Sequence, residues 1–97
     1  MELLLLIETK NLSRAKESLL KNDIVSRASL TFKEAKNFGD KDGYYCYVSG
    51  TEEQCKKVLE LTKDLAKEIK DSKKNEIINK IKEEEDKANT AFGGIFG

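Results

Sequence analysis

The sequence predicts an α+β domain whose elements run β-α-β-β-α, and three observations support that prediction. Short stretches at residues 1–8, 24–33 and 44–49 have the two-residue period of strands. Apolar residues after Asn11 and after Thr51 recur at the three- and four-residue spacing of helices. The chain has 97 residues, enough for one domain with a modest core.

The first strand is predicted over residues 1–8, because aliphatic side chains alternate between its two faces. One face carries Leu3, Leu5 and Ile7, and the other carries Leu4 and Leu6. A helix should follow, with Asn11 as its N-cap and an apolar stripe through Leu12, Ala15 and Leu19. We expect Asn22 in the left-handed position at the end of this helix.

The second and third strands are predicted to form a hairpin. Residues 24–33 alternate apolar and polar side chains, which indicates a half-exposed strand. Residues 35–43 are rich in glycine, asparagine and aspartate, a composition typical of a hairpin loop. The third strand carries Cys46 and Val48 on one face, and Tyr45 and Tyr47 on the other.

A long helix is predicted from Thr51 to about residue 91. Thr51 and Gln54 form the sequence signature of a capping box, and apolar residues follow at helical spacing as far as Ile69. The apolar stripe lapses over residues 70–75 and resumes at Ile77. Two alternatives remain: a continuous helix with a kink, or a break near residues 71–75 followed by a third helix that folds back.

The order of these elements predicts a split β-α-β unit. The third strand would lie between the first two, and both helices would cover one face of the sheet. This three-stranded arrangement resembles a ferredoxin-like fold lacking its last strand, with a long C-terminal helix added. We expect residues 1–70 to form the domain, and residues 71–97 to form a helical extension with a Phe/Gly tail.

The composition excludes several classes of function. The chain has 18 basic and 18 acidic residues, so we expect no binding of nucleic acid by this chain alone. The longest aliphatic run, residues 3–7, is far shorter than the roughly 20 residues of a membrane helix. Cys46 and Cys55 form no CxxC pair, so we expect reduced cysteines in a cytoplasmic protein. The abundance of lysine and glutamate is a bias reported for hyperthermophile proteins.

No catalytic or metal-binding pattern is visible, so we predict a non-enzymatic protein without a cofactor. The chain has no histidine, which is the usual proton shuttle and the commonest zinc ligand. We interpret Gly39–Gly43 as a hairpin turn rather than a calcium loop, and Glu83–Asp86 as a solvated helix face. A basic stripe is predicted along the long helix, offset by acidic neighbours, at Lys63, Lys67, Lys70 and Lys74.

Two apolar features indicate association with a partner. The helix-free face of the predicted sheet would expose Leu4, Leu6, Tyr45 and Tyr47, and exposed apolar patches usually mark interaction sites. At the end of the chain, glycines that allow non-helical turns separate the apolar residues Phe92, Ile95 and Phe96. This tail is expected to anchor in a groove, on its own sheet or on that of a neighbour. The alternative for the open face is coverage by the chain's own C-terminal segment.

We therefore expect a small protein that acts by protein–protein association, as a homodimer or as a subunit of a larger complex. The first strand, apolar on both faces and at a predicted sheet edge, further indicates that the protein is not a functional monomer. ACT-like domains are similar in general topology, which implies the alternative of a small-molecule-binding regulatory module. The dimerising subunit of the archaeal KEOPS complex is similar over residues 1–70 in element order and size. That resemblance implies a further alternative, an accessory subunit of an RNA-modifying complex.

Overall fold

A computed structural model describes residues 1–39 and 42–96, with side chains described as far as residue 84. In this part of the chain the architecture is α+β, with a four-stranded antiparallel sheet and three α-helices. The strands are β1 (Glu2–Ile7), β2 (Ser29–Glu34), β3 (Tyr44–Ser49) and β4 (Ala66–Ile69). The helices are α1 (Leu12–Lys21), α2 (Glu52–Leu61) and α3 (Asp71–Phe96).

The sheet has the order β2-β3-β1-β4, and each neighbouring pair is antiparallel. The predicted α+β class is confirmed. The predicted three-stranded sheet is wrong in strand count, and the overall order differs because a fourth strand lies beside β1. The first strand is therefore central in the sheet and does not form its edge. The predicted position of β3 between β1 and β2 is confirmed.

The fourth strand forms because β1 is too deeply buried to leave one side of its backbone unpaired. Leu4 and Ile7 have no exposed surface, and buried backbone N–H and C=O groups require hydrogen-bond partners. The β4 strand supplies them by pairing Ile69 with Leu4 and Lys67 with Leu6. A helix over residues 66–69 would leave this side of β1 without a partner strand.

The predicted continuous helix from Thr51 to residue 91 is wrong. A third helix does fold back onto the sheet, as in the second alternative, but the break comes earlier than residues 71–75 and contains β4. The α2 helix ends where the Thr62 hydroxyl donates to the Val58 carbonyl over 2.7 Å. The Ala66 N–H donates to the Thr62 carbonyl over 2.9 Å, which closes the turn into β4. Leu65 lies in this turn and is only half-buried. Asp71 then takes a positive φ of 62°, which redirects the chain into α3.

The two faces of the sheet are covered by different helices. The α1–α2 face buries side chains from β1, β3, both helices and the 3-10 turn before β2: Leu3, Leu5, Ile7, Ala15, Leu19, Val25, Cys46, Val48, Cys55 and Val58. The α3 face buries a second cluster: Leu4, Ala35, Tyr45, Tyr47, Ile69, Ile77, Ile78 and Ile81. The side-chain alternation of β1 therefore supplies both clusters, as expected for a strand covered on both faces.

Of the local signals predicted at the helix ends, the one at the start of α2 is confirmed. The capping box is confirmed, since the Thr51 side chain accepts from the Gln54 N–H at 3.1 Å and the Gln54 side chain accepts from the Thr51 N–H at 2.9 Å. The α1 helix starts directly after Asn11, but the Asn11 side chain makes no capping hydrogen bond. The left-handed conformation predicted for Asn22 is wrong, because its φ and ψ of −83° and 124° are extended.

The second strand is shorter than predicted because Asn22 starts a turn. Its side-chain oxygen accepts from the N–H groups of Ile24 and Val25, at 3.0 and 3.1 Å. Residues Val25–Arg27 then form a 3-10 turn, and β2 begins only at Ser29.

Candidate functional site

The sheet face that was predicted to be open is covered by α3. Leu4 and Tyr45 have no exposed surface, Tyr47 keeps 8%, and Leu6 is half-buried. The expectation of an exposed patch at these residues is therefore wrong, and the alternative of coverage by the chain's own C-terminal segment is correct. The reason is that α2 ends early, so the chain after it can form α3, and α3 crosses this face. That helix contributes Ile77, Ile78 and Ile81 to the contact.

A polar cluster of Glu2, Tyr47 and Lys82 holds α3 beside its apolar contact. The Tyr47 hydroxyl donates to the Glu2 carboxylate, and the Lys82 Nζ lies 3.2 Å from the same carboxylate. The hydrogen bond from Tyr47, followed by the effect of Lys82, lowers the pKa of Glu2. Burial, followed by the hydrogen bond to Glu2, raises the pKa of Tyr47. The hydrogen bond to Glu2 raises the pKa of Lys82. These groups satisfy one another, and their role is to position α3.

The predicted anchoring tail falls within α3. The helix continues through Phe96, so the departure from the helix that was predicted at the glycines is wrong. The packing predicted for the side chains of Phe92, Ile95 and Phe96 lies outside the described residues, and it stays a prediction.

With both faces of the sheet covered, the outer edge of β2 is where backbone hydrogen-bonding groups remain without a neighbouring strand in the described part of the chain. Bonded and non-bonded residue pairs alternate along antiparallel strands. The Ala35 N–H donates to the Gly43 carbonyl over 2.9 Å, and the β2–β3 register continues from that pair along the strand. Counting back two residues at a time, Lys33 and Thr31 bond to β3. The intervening residues, Leu30, Phe32 and Glu34, direct their N–H and C=O groups away from the sheet. We call these outward backbone groups the β2 edge.

Apolar side chains accompany the β2 edge. Leu30 and Phe32 are half-buried and pack against the α1–α2 cluster. The Nζ of Lys16 lies 5.1 Å from the centre of the Phe32 ring. Thr31 and Lys33 lie on the α3 face and are also half-buried. Lys33 is fixed there by an ion pair of 3.7 Å with Glu84 of α3. A strand added at this edge would extend the apolar layer on the α1–α2 face.

The opposite edge of the sheet, at β4, offers much less to a partner. The β4 strand has four residues, and the same alternation directs Ala66 and Glu68 outward. The Ala66 N–H is already used by the Thr62 carbonyl at 2.9 Å, so only Glu68 offers an outward N–H. Short edge strands with charged side chains are a common protection against pairing. The β2 edge is therefore the more available of the two.

The β2 edge was not predicted as a binding surface, because the apolar first strand was expected at the border of the sheet. The signal was nevertheless present in the predicted topology. A third strand between the first two leaves the second strand with one neighbour, and residues 24–33 already showed half-exposed alternation.

The predicted lysine stripe does not form, because its members lie on different elements. Lys63 is in the turn after α2, Lys67 is in β4 and Lys74 is in α3. Lys63 and Lys67 instead line a cleft of about 260 Å³ beside the end of β1, together with Asn11 and Asp64. This volume is below the roughly 300–1,000 Å³ of most ligand sites.

The remaining polar candidates serve local structure where they are described. Asp42 accepts a hydrogen bond of 2.8 Å from the Thr9 hydroxyl, which ties the hairpin loop to the end of β1. Within the described side chains, no three histidine, cysteine, aspartate or glutamate residues gather as metal ligands would. Residues 40 and 41, and the side chains of Glu85 and Asp86, lie outside the described residues. Cys46 and Cys55 are buried and free, and burial raises the pKa of the Cys46 thiol to about 12.

None of the helices in the described part of the chain has the length and apolar character needed to cross a membrane. No protein-family model, no curated protein and no solved structure matches this chain.

Proposed function

We propose that this protein is non-enzymatic and acts in the cytoplasm by protein–protein association through the β2 edge. The observation that carries the proposal is the row of outward backbone groups at Leu30, Phe32 and Glu34. A strand with unpaired N–H and C=O groups is a template for a strand from another chain. The half-exposed side chains of Leu30 and Phe32 supply apolar surface that such pairing would remove from water.

The sheet order supports a ferredoxin-like arrangement with four strands. In that arrangement the elements run β-α-β-β-α-β, with the second and fourth strands at the two edges. The order β2-β3-β1-β4 agrees with this description. In the proposed arrangement α3 is an addition that closes the face opposite α1 and α2, so the edges remain as the places where another chain can join the sheet.

Replacement of Glu34 by proline tests the proposal, because proline removes one outward N–H and nothing from the bonds to β3. The φ of Glu34 is −63°, which is the value that proline adopts. Lys33 before it is extended, as a residue preceding proline prefers to be. Glu34→Ala is the matched control, since it removes the carboxylate and keeps the N–H.

The measurement is co-purification and sedimentation of the 97-residue chain. The two variants and the wild type are compared only if their melting temperatures are equal, so that unfolding does not account for a loss of binding. We expect the wild-type chain and Glu34→Ala to carry the same associated chain, which is either a second copy or another protein. Glu34→Pro should lose it. The proposal fails if the wild-type protein sediments alone at tens of micromolar and retains nothing from extracts, or if Glu34→Pro binds as the wild type does.

A second candidate function, the small-molecule-binding regulatory module, is favoured by the cleft that Lys63 and Lys67 line. The carboxylates of Glu8 and Asp64 line the same cleft and offset its two lysines, so it suits a small zwitterionic metabolite. Such a ligand should raise the melting temperature progressively as its concentration rises above the dissociation constant, and Lys63→Ala should remove that effect. The alternative of an accessory subunit of an RNA-modifying complex stays a prediction. It requires Lys63→Glu and Lys67→Glu to weaken the binding of such a complex.

A further inference from the structure

We propose that the partner at the β2 edge is a second copy of this chain. The two β2 strands pair antiparallel about a twofold axis at Thr31, which joins the two sheets into one continuous sheet of eight strands. This inference rests on the proposed function, because it names the partner of the same edge. A twofold contact uses the same patch on both copies, so the edge must be complementary to itself.

The backbone of the β2 edge meets this requirement. When Thr31 faces Thr31 of the second copy, Leu30 faces Phe32 of that copy and Phe32 faces its Leu30. Both residues direct their N–H and C=O groups outward, so each pair exchanges two hydrogen bonds. Thr31 directs its own backbone groups to β3. It therefore forms a non-bonded pair with Thr31 of the second copy, as this register requires. The outward N–H of Glu34 meets the carbonyl of Ala28.

The side chains disfavour two of the neighbouring registers. A shift by one residue would place the α1–α2 face of one copy beside the α3 face of the other, which mixes the two layers. A shift by two residues would centre the pairing on Phe32 and would place each Leu30 against a Glu34 carboxylate. Pairing about Thr31 instead places Leu30 against the Phe32 ring, an aliphatic–aromatic pair of the kind that stabilises neighbouring strands.

The charges along the edge agree with the same register. Lys33 faces Ser29 of the second copy, so no two lysines are opposed. The exposed Glu34 of each copy lies beside Ala28 of the other, the residue that follows the exposed Arg27. The edge therefore brings unlike charges near each other at both ends of the paired strands and leaves its centre neutral.

Substitution at the twofold axis tests the register directly, because residue 31 of one copy meets residue 31 of the other. Side chains in a non-bonded pair approach closely, so Thr31→Glu or Thr31→Lys sets two like charges side by side. Each variant alone should weaken the dimer at least about tenfold, as like charges directly opposite do. An equimolar mixture of the two variants should recover a dimer that contains one chain of each kind.

The experiment is sedimentation velocity over a concentration series with the full-length chain, and native mass spectrometry counts the two variants in the mixture. Lys67→Glu is the control, since it places a carboxylate on the opposite edge strand and should leave the dimer constant unchanged. A wild-type protein that stays monomeric overturns the inference. A Thr31→Glu dimer as tight as the wild-type dimer also overturns it. A tighter Thr31→Glu dimer does so too, because that result is expected if Thr31 of one copy faced Lys33 of the other. If the wild type is monomeric and Glu34→Pro still loses a different bound protein, the self-pairing fails while the proposed function stands.

Discussion

Replacement of Ile81 by alanine tests whether apolar contact holds α3 on the sheet. Ile81 has no exposed surface and belongs to the cluster with Tyr45 and Tyr47. The change removes three carbon atoms, which corresponds to about 2.4 kcal/mol of lost transfer free energy at about 0.8 kcal/mol per carbon. A residual cavity adds to this, so we expect a loss of about 3–4 kcal/mol in the free energy of unfolding. That loss is a large fraction of the stability of a small domain, which is about 5–15 kcal/mol.

Urea unfolding followed by tyrosine fluorescence measures this change, because two of the three tyrosines lie beneath α3. Glu83→Ala is the matched control on the same helix, since Glu83 is exposed and should change the stability by no more than about 0.5 kcal/mol. A loss below about 1 kcal/mol for Ile81→Ala would refute the reasoning, since a surface position gives losses of that size. It would mean that α3 does not pack on this face in solution.

Three further predictions concern the polar cluster, the cysteines and the glycines. The pKa of Glu2 is lowered in the folded state, so its carboxylate stabilises the fold at pH values above the usual pKa range of glutamate. This contribution is lost as the pH falls through the lowered pKa. Glu2→Gln should therefore unfold at a lower urea concentration than the wild type at pH 7, and the difference should vanish in acid. Burial raises the pKa of Cys46 to about 12, so this thiol should resist alkylation at neutral pH in the native protein and react once the protein is unfolded; rapid native labelling would contradict its burial. Gly43→Ala should lower the melting temperature more than Gly39→Ala. Both glycines have a positive φ, of 125° at Gly43 and 80° at Gly39, but of these two only Gly43 would place the new Cβ 2.9 Å from a backbone oxygen of β1. Equal melting temperatures for the two glycine variants would show that this contact relaxes.

Signals that act within one turn of the chain were sufficient for the start of α2. The capping box at Thr51 and Gln54 depends on groups three residues apart, and their hydrogen bonds are confirmed. The conformation of Asn22 was predicted wrongly although it is also local. Asparagine can end a helix in the left-handed region, or it can accept hydrogen bonds from the residues that follow. Here the two N–H groups at Ile24 and Val25 favour the second role.

The fourth strand could not be identified from its own residues. Ala66 and Ile69 are three apart, a spacing that puts them on one side of a helix and on opposite faces of a strand. In the structure Ala66 packs against the α1–α2 cluster and Ile69 belongs to the α3 cluster. The choice between helix and strand depends on the unpaired side of β1, which is far away in the sequence. Tertiary pairing therefore outweighs a helical pattern that no glycine or proline interrupts.

The error over the fourth strand also explains why the wrong surface was predicted to bind a partner. In a three-stranded sheet the apolar face of β1 has nothing to cover it, and association appears necessary to bury Leu4 and Tyr45. Once β4 pairs with β1, the chain emerges at the border of the sheet and α3 can cross that face within the same molecule. The proposal of a partner then rests on backbone groups and no longer on exposed side chains. No element in the described part of the chain pairs with the N–H and C=O groups of Leu30, Phe32 and Glu34. That these residues point outward follows from the hydrogen bond between Ala35 and Gly43, which sets the alternation along β2. A partner that binds there must present an extended strand, which is why a second β2 is a better fit than a helix or a globular surface.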